Sequence, residues 1–204
     1  MKTLQVTAKM SRREGVPLSD AVKHARALAR RPFPPGAHGP ESRTRMTDYG
    51  KQLREKQKAK RLYGLNERQF SNLFEEVSKK KGNTGEMLVQ ELEARLDNVV
   101  FRAGLAKTRP AARQAVSHAH FMVNGKKVNV PSYRVRAGDV VAVRENKKTK
   151  GNLKGAEEVL SKKENLSWLA IEAKDLSVKV TGKPTGIELQ QPFDAKMIVE
   201  FYSR

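Results

Sequence analysis

The dipeptide Asn124-Gly125 constrains the fold of this chain most strongly, because it separates two short strand-like runs in the segment FMVNGKKVNV. A two-residue type I′ turn needs positive φ at both central positions, which Asn and Gly adopt at low cost. We therefore expect an antiparallel hairpin here. A second turn at Gly138-Asp139 precedes the apolar run VVAV at residues 140–143, which predicts a third strand in the same small sheet.

A short helix is predicted just before the hairpin, in the segment TRPAARQAVSH. Thr108 can cap this helix, and Pro110 is tolerated in its first turn. Helical spacing places alanines on one side and Arg109 and Arg113 roughly on the opposite side. Because small side chains allow close packing, we expect the alanines to face the sheet and the arginines to face outward.

A basic stripe is predicted on a helix that begins near Thr47, in the segment DYGKQLREKQKAKRLYG. Lys51, Arg54, Lys58 and Arg61 recur at i, i+3, i+7 and i+10, which places them on one helical face. Like charges at this spacing repel one another unless phosphates lie opposite them. An ordinary charged surface helix is the alternative interpretation.

Two apolar helical patterns follow. The segment NERQFSNLFEEVSKKKG has Asn66 as its expected cap, an apolar stripe at helical spacing and Gly82 as its expected stop, so we assign the stripe to the core. After the turn GNTG, apolar residues from Leu88 to Ala103 keep one face. This pattern predicts one continuous helix that ends at Gly104.

The first 46 residues are predicted to lack regular secondary structure. The segment MKTLQVTAKMSRREG shows no strong pattern, and the prolines and glycines of RRPFPPGAHGPESRTR exclude helix from that stretch. We expect an extended, loop-like arm that becomes ordered only against a partner.

The charge of the chain points to a polyanionic partner. The formal net charge is +19 over 204 residues, with 16 basic and 5 acidic side chains in residues 1–65 and 13 and 2 in residues 101–155. Nucleic acid is the commonest partner of such a chain. A membrane surface fits poorly, because the sequence has no apolar run of about 18 residues, no signal-peptide pattern and no lipidation signal. We expect a cytoplasmic location.

The sequence offers little that could perform catalysis or hold a metal. It has no Cys, no Walker-type phosphate loop, no H-E-x-x-H and no G-x-S-x-G. The pair His118-x-His120 could place two rings on one side of a strand, but no third ligand is near. We expect His118 to contact RNA or backbone carbonyls, and we expect no enzyme activity, metal or cofactor.

The patterns together predict an α+β protein with a mostly helical domain and a small helix-and-sheet module. The expected parts are an extended basic arm at 1–46, a helical domain at 47–93, the module at 94–155 and a C-terminal segment at 156–204. That last segment contains the strand-like runs LAIEA, LSVKV and KMIVEFY, which should complete the sheet and pack back on the helical domain. We assign Trp168 to the core, with base stacking as the alternative.

The segments RLDNVV, TRPAARQAVSH, VNGKKVN and SYRVRAGDVV resemble the RNA-binding fold named after the fourth protein of the small ribosomal subunit, the S-four fold. The segments SRREG, PGAHG, DYGKQLREKQKAKRLYG, ERQF, KGNTGE and IVEFYSR resemble the S-four ribosomal family itself, in its order. The resemblance covers nearly the whole chain and implies that the small module is inserted into the mostly helical domain. Two other classes of protein remain as alternatives. One is a free RNA-binding regulator, and the other is an RNA-modifying enzyme that carries the S-four fold.

The resemblance implies a structural constituent of the 30S subunit that binds 16S rRNA early, at a five-helix junction in the 5′ domain, and nucleates the body of the subunit. It also implies an additional role as translational repressor of its own mRNA. The cations expected to bind rRNA are Arg12, Arg13, Lys51, Arg54, Lys58, Arg61, Arg102, Lys107, Arg109, Arg113, Lys126, Lys127, Arg134 and Arg136, together with His118.

The family also lines the channel through which mRNA enters, together with the third and fifth small-subunit proteins. Arg43 and Arg45 match its basic positions, whereas Ser42 stands where the family is often basic. The resemblance places the contact with the fifth protein, which affects decoding accuracy, within residues 192–204. Many members hold zinc with four N-terminal cysteines, and this chain has none, so zinc is not expected.

Overall fold

The structure is a computed structural model that describes residues 6–41, 45–148, 160 and 166–204. The chain divides into two compact units, Met1–Val89 with Gln190–Arg204, and Gln90–Leu189. In the described residues, the first unit is helical and the second carries a 5-stranded antiparallel sheet beside its helices. This combination confirms the predicted α+β class.

The N-terminal stretch contains two helices, α1 (Ala8–Glu14) and α2 (Val22–Arg30). The prediction of an extended arm is therefore wrong for these residues. The physical reason is a small local interior, in which the buried Ser11 Oγ lies 2.7 Å from Nδ1 of the buried His24. The expected absence of helix holds for residues 31–41, where prolines and glycines dominate.

The next two helices, α3 (Asp48–Leu62) and α4 (Glu67–Ser78), begin at their predicted caps. Thr47 Oγ1 accepts a hydrogen bond from the Gly50 N–H at 3.2 Å. Asn66 and Gln69 form a reciprocal capping box, which satisfies two N–H groups that the first turn leaves free. The α4 helix ends before the predicted Gly82. Its apolar stripe is buried as expected, through Phe70, Leu73, Phe74 and Val77.

The C-terminal helix α8 (Ala195–Tyr202) occupies the run KMIVEFY, so the prediction of a strand there is wrong. Asp194 caps the helix by accepting from the Lys196 N–H at 2.8 Å. Ile198, Phe201 and Tyr202 then fall at i, i+3 and i+4, and α8 packs against α3. A short apolar run fits both periods, and here the cap and the neighbouring helix favour the helical one.

The second unit begins within helix α5 (Thr84–Glu93), which is followed by α6 (Leu96–Ala103) and α7 (Arg109–Ser117). A single helix over α5 and α6 was predicted, and the structure corrects this. The Val135 N–H donates to the Ala94 carbonyl at 2.9 Å, and the Leu96 N–H donates to the Tyr133 carbonyl at 2.8 Å. These bonds to a distant segment replace the helical ones and break the helix at residues 94–95.

The sheet has the order β2-β1-β3-β5-β4, and each neighbouring pair is antiparallel. Its strands are β1 (Phe121–Val123), β2 (Lys126–Val128), β3 (Val140–Val143), β4 (Leu169–Glu172) and β5 (Ser177–Val180). The predicted hairpin is confirmed, because Asn124 has φ 50°, Gly125 has φ 75°, and Val123 pairs with Lys126.

One face of the sheet packs against α6 and α7 in a shared apolar core. Phe121 and Val141 on neighbouring strands are fully buried there, as is Val116 on α7. Trp168 is 3% exposed and belongs to the same core, which confirms its assignment to packing. The sheet and helices thus form a packed base that carries the loops and helix ends around it.

Candidate nucleic-acid interface

A buried polar network holds α5, α6 and α7 together in the second unit. The Glu93 carboxylate accepts two hydrogen bonds from Arg102, at 2.8 and 2.9 Å, and one from Asn98 Nδ2 at 2.6 Å. Asn98 Oδ1 in turn accepts from Arg109 Nε at 3.0 Å. The Arg109 guanidinium also lies 4.4 Å from the centre of the Phe101 ring. Two cations predicted to bind rRNA are therefore fixed by partners within the module.

A second buried carboxylate, Asp97, engages two further arginines. Arg95 binds it with two hydrogen bonds, at 3.1 and 2.9 Å, and Arg113 Nη1 approaches it to 3.4 Å. The Arg113 side chain is 10% exposed, so the prediction that it faces outward is wrong. The reason is that α7 packs on α6 and turns this position toward Asp97. Burial lowers the pKa of Arg113, Asp97 opposes that change, and Arg95 adds to it.

Other cations of the module lie on its surface. Lys107, Lys126, Lys127 and Arg136 are exposed and form no ion pair within the part of the chain that the structure describes. Arg134 is half-exposed and pairs with Glu91 at 3.4 Å. These side chains can neutralise phosphates without first breaking a buried contact.

The two turns next to Lys126 and Arg136 are tied to each other. Asn124 Nδ2 donates to Asp139 Oδ1 at 2.8 Å, and Asn124 Oδ1 accepts from the Val140 N–H at 2.9 Å. Asp139 Oδ2 also accepts from the Arg136 N–H at 2.8 Å. These bonds place the hairpin turn beside the next turn, so both cations are held at one end of the sheet.

The predicted contact residue His118 is exposed at the end of α7, and its ring centre lies 6.0 Å from that of His120. Burial lowers the pKa of His120, and Lys147, His118 and Arg144 lower it further. Among the described residues, no group of three or more His, Asp or Glu side chains could hold a metal ion. Arg144, which the sequence did not single out, donates to the Ala119 carbonyl at 3.2 Å.

The basic stripe on α3 is paired with carboxylates in the first unit. Arg54 and Arg61 both bind Glu14, whose side chain is fully buried. Lys51 pairs with Asp48 at 3.0 Å, and Lys58 pairs with Glu55 at 2.6 Å. The structure thus supplies carboxylates opposite a stripe for which phosphates were expected, and Arg54 and Arg61 tie α1 to α3.

The remaining predicted cations differ in exposure. Arg12 donates to the carbonyls of Arg31 and Phe33 at 3.1 Å each, whereas Arg13 is exposed. Arg45 is exposed, and Arg43 lies outside the described residues. In the part of the chain that the structure describes, no helix is long and apolar enough to cross a membrane.

Comparison with known proteins gives a family for this arrangement. The family model "Ribosomal protein S4/S9 N-terminal domain" matches residues 2–93, and the model "S4 domain" matches residues 94–141. The chain is 47% identical over 199 residues to "Small ribosomal subunit protein uS4" of Roseiflexus sp. (strain RS-1), covering 96% of each. The chain belongs to the S-four ribosomal protein family. Relatives of the same printed name from Ruminiclostridium cellulolyticum and Caldicellulosiruptor bescii are 48% and 50% identical over 178 residues, 87% of this chain and 85% of each relative.

Membership in the S-four family confirms the resemblance stated from the sequence. The relatives carry the names of ribosomal proteins and not of enzymes, which confirms the prediction that this chain is not an enzyme. The buried carboxylates Glu93 and Asp97 are what the sequence reasoning missed. The available signal was the segment EARLD, in which two acids flank apolar and basic residues. A carboxylate that is buried needs a cation as its partner, so acids in such a segment could have been expected to pair with the nearby arginines.

Proposed function

We propose that this chain is a structural constituent of the small ribosomal subunit in the cytoplasm and binds 16S rRNA directly. In this proposal it nucleates assembly of the 30S body at a multi-helix junction in the 5′ domain. The observation that carries the proposal is a set of cations on the S-four module that are exposed and form no ion pair with any residue that the structure describes: Lys107, Lys126, Lys127 and Arg136.

Recognition by shape follows from the division between buried and exposed cations. The networks around Glu93 and Asp97 fix the backbone that presents the surface, so little order has to be gained when RNA binds. The exposed lysines then contact phosphates, which are equivalent in every sequence. Few base contacts are expected, because the major groove of A-form RNA is too deep and narrow for side chains to enter.

The salt dependence of binding gives a magnitude for this proposal. Each phosphate contact contributes about 0.7 to 0.9 to the slope of log K against log salt, so four exposed cations contribute about 3. Replacing Lys126 and Lys127 with Ala should lower that slope by about 1.5. The matched control replaces Lys79 and Lys81 with Ala. Both are exposed near the end of α4, so their replacement removes the same charge from another surface.

The experiment measures binding of the purified chain to the naked 5′ domain of 16S rRNA across a salt series, with an unrelated structured RNA as competitor. Tight binding that survives the competitor, with nuclease protection at one multi-helix junction, supports the proposal. Equal affinity for the two RNAs would refute it and favour a general basic RNA binder. An unchanged slope in the Lys126/Lys127 variant would remove the module surface as the contact site.

We further propose a role in the channel through which mRNA enters, shared with the third and fifth small-subunit proteins. The exposed Arg45 supports this role. Ribosomes reconstituted with Arg43→Ala and Arg45→Ala should translate an mRNA with a stable hairpin more slowly, with an unstructured mRNA unaffected. Equal rates on both mRNAs would contradict the proposal.

The proposed contact with the fifth protein, which would influence decoding accuracy, falls on residues 192–204. Because Ile198 is buried within that stretch, the contact must use its exposed positions, such as Glu200 and Arg204. Charge reversal at both positions should raise misreading in a reporter assay; normal accuracy would place the contact elsewhere.

Repression of its own mRNA is proposed to use the same module surface, because an mRNA folded like the rRNA junction would meet the same cations. The leader of the transcript should then compete with 16S rRNA for the chain. A leader that fails to compete would exclude this additional role.

A further inference from the structure

A basic groove lies between α1, α2 and the loop at residues 31–36, with a volume of about 700 Å³. It is separate from the S-four module and belongs to the first unit. Its lining contains no carboxylate. The cations that line it are Lys9, Arg12, Lys23, Arg26, Arg30 and Arg31.

The positions of these cations follow from the two helices. On α2, Lys23, Arg26 and Arg30 recur at i, i+3 and i+7, so they lie along one face and rise by about one turn of 5.4 Å between neighbours. On α1, Lys9 and Arg12 are at i and i+3, so they share a helical face, and both line the groove. The groove thus has cations along both of its helical walls.

Arg12 shapes the groove, and the other five cations are left for a ligand. Its guanidinium donates to the carbonyls of Arg31, Phe33 and Pro34 and lies 5.1 Å from the centre of the Phe33 ring. It therefore fixes the loop against α1. Within the described part of the chain, none of the other five cations forms an ion pair, and all five are exposed.

Part of the lining is apolar, and we call this part the floor: Ala8, Val22, Ala27 and Pro35. Val22 is 68% exposed. An apolar surface beside cations suits a ligand that has both a charged chain and flat apolar faces. Any polyanion could pair with the cations, so the apolar floor is the feature that narrows the choice of ligand.

We propose that this groove binds a single-stranded segment of RNA, with its phosphates on the cations of α1 and α2 and an unstacked base on the apolar floor. The proposal rests on the proposed function, in which the chain works inside an RNA particle. A duplex keeps its bases stacked and paired, so it could offer the floor only its backbone. A poly-glutamate peptide would satisfy the charges but has no aromatic ring to place on the floor.

The first test measures the contribution of the cations. The full chain is titrated with a fluorescently labelled single-stranded RNA hexamer and with an RNA duplex of equal charge, across a salt series. Arg26→Ala with Arg30→Ala should lower the slope of log K against log salt for the hexamer by about 1.4, at about 0.7 per contact for single strands. The matched control, Lys79→Ala with Lys81→Ala, should leave that slope unchanged.

The second test measures the contribution of the floor. Ala27→Leu keeps the charge and fills the groove, and Leu favours the helical backbone of α2 as Ala does. The wild-type chain should bind the hexamer several-fold more tightly than an abasic hexamer with the same phosphates. Ala27→Leu should abolish that preference and leave the salt slope unchanged.

The results distinguish this proposal from the proposed function. If the wild-type chain prefers the duplex, or if a poly-glutamate peptide competes as well as RNA, the single-strand assignment is overturned. If the chain binds the 16S junction normally and the groove variants bind both RNAs like wild type, the groove inference fails and the proposed function stands. If the wild-type chain binds the hexamer but not the junction, the proposed function fails instead.

Discussion

Replacing Arg113 with Met should reduce stability and leave RNA affinity nearly unchanged. The side chain is 10% exposed and contacts Asp97, but Arg95 keeps two hydrogen bonds to that carboxylate. The buried charge therefore remains compensated, and the loss is that of a hydrogen bond to a charged group, about 2 kcal/mol. Met retains most of the packing volume, so no large cavity adds to this cost. For a chain of this length, the melting temperature should fall by about 4 to 8 °C.

The control is Lys127→Met, which removes the same charge from an exposed position of β2. It should change the free energy of unfolding by less than about 0.5 kcal/mol and lower the salt slope of rRNA binding by about 0.8. Urea denaturation and filter binding to the 16S 5′ domain measure both quantities. A loss of affinity in the folded Arg113 variant, at unchanged stability, would show that the buried arginine contacts RNA and that the separation into buried and exposed cations is wrong.

Three further substitutions test particular contacts. Glu14→Gln should cost about 3 kcal/mol in urea denaturation, because it leaves two arginines around a fully buried side chain without their counter-charge; a change below 1 kcal/mol would contradict the ion pairs. Burial and Lys23 lower the pKa of His24, so the unfolded chain takes up a proton before the folded chain does as pH falls below about 6.5. The free energy of unfolding of the wild type should then decrease by up to about 1.4 kcal/mol per pH unit. His24→Gln should remove this decrease. A wild-type stability that is constant between pH 7 and 5 would refute this. Asn124→Ala should destabilise the second unit by about 1 to 2 kcal/mol, since it removes two hydrogen bonds and places Ala at φ 50°, and faster amide exchange in β1 and β2 would report it.

Local signals in the sequence predicted most of the helix starts and the hairpin. Thr47, Asn66 and Thr108 all cap helices through their side chains, because the capping bond forms within three residues and needs no distant partner. The Asn124-Gly125 turn is equally local. Features that depend on a distant segment were not predictable in this way, and the break at residues 94–95 is the clearest case, since segment 133–135 supplies the hydrogen bonds that end the helix.

The difference between local signals and contacts with distant segments also explains which interface predictions failed. Helical spacing placed Arg113 on a face of α7, but whether that face met solvent depended on α6 and its Asp97. For the basic stripe on α3, helical spacing could not predict the partner Glu14, which lies 40 residues from Arg54 in the chain. Asp97 and Glu14 are few among many basic residues, yet each is buried and each binds two arginines.

The division of labour within the S-four module also follows the chemistry of the two cationic side chains. Arg102 and Arg95 are each joined to a buried carboxylate, Glu93 or Asp97, by two hydrogen bonds. A planar guanidinium matches the two carboxylate oxygens with two parallel N–H groups, whereas an ammonium group is a compact charge whose three donors have no such fixed fork. The hairpin surface instead carries Lys126 and Lys127, whose flexible stems can follow a phosphate backbone without a fixed geometry. An exchange of lysine for arginine should therefore be tolerated on the hairpin surface, whereas an exchange of arginine for lysine at the buried positions removes a hydrogen bond that the fold requires.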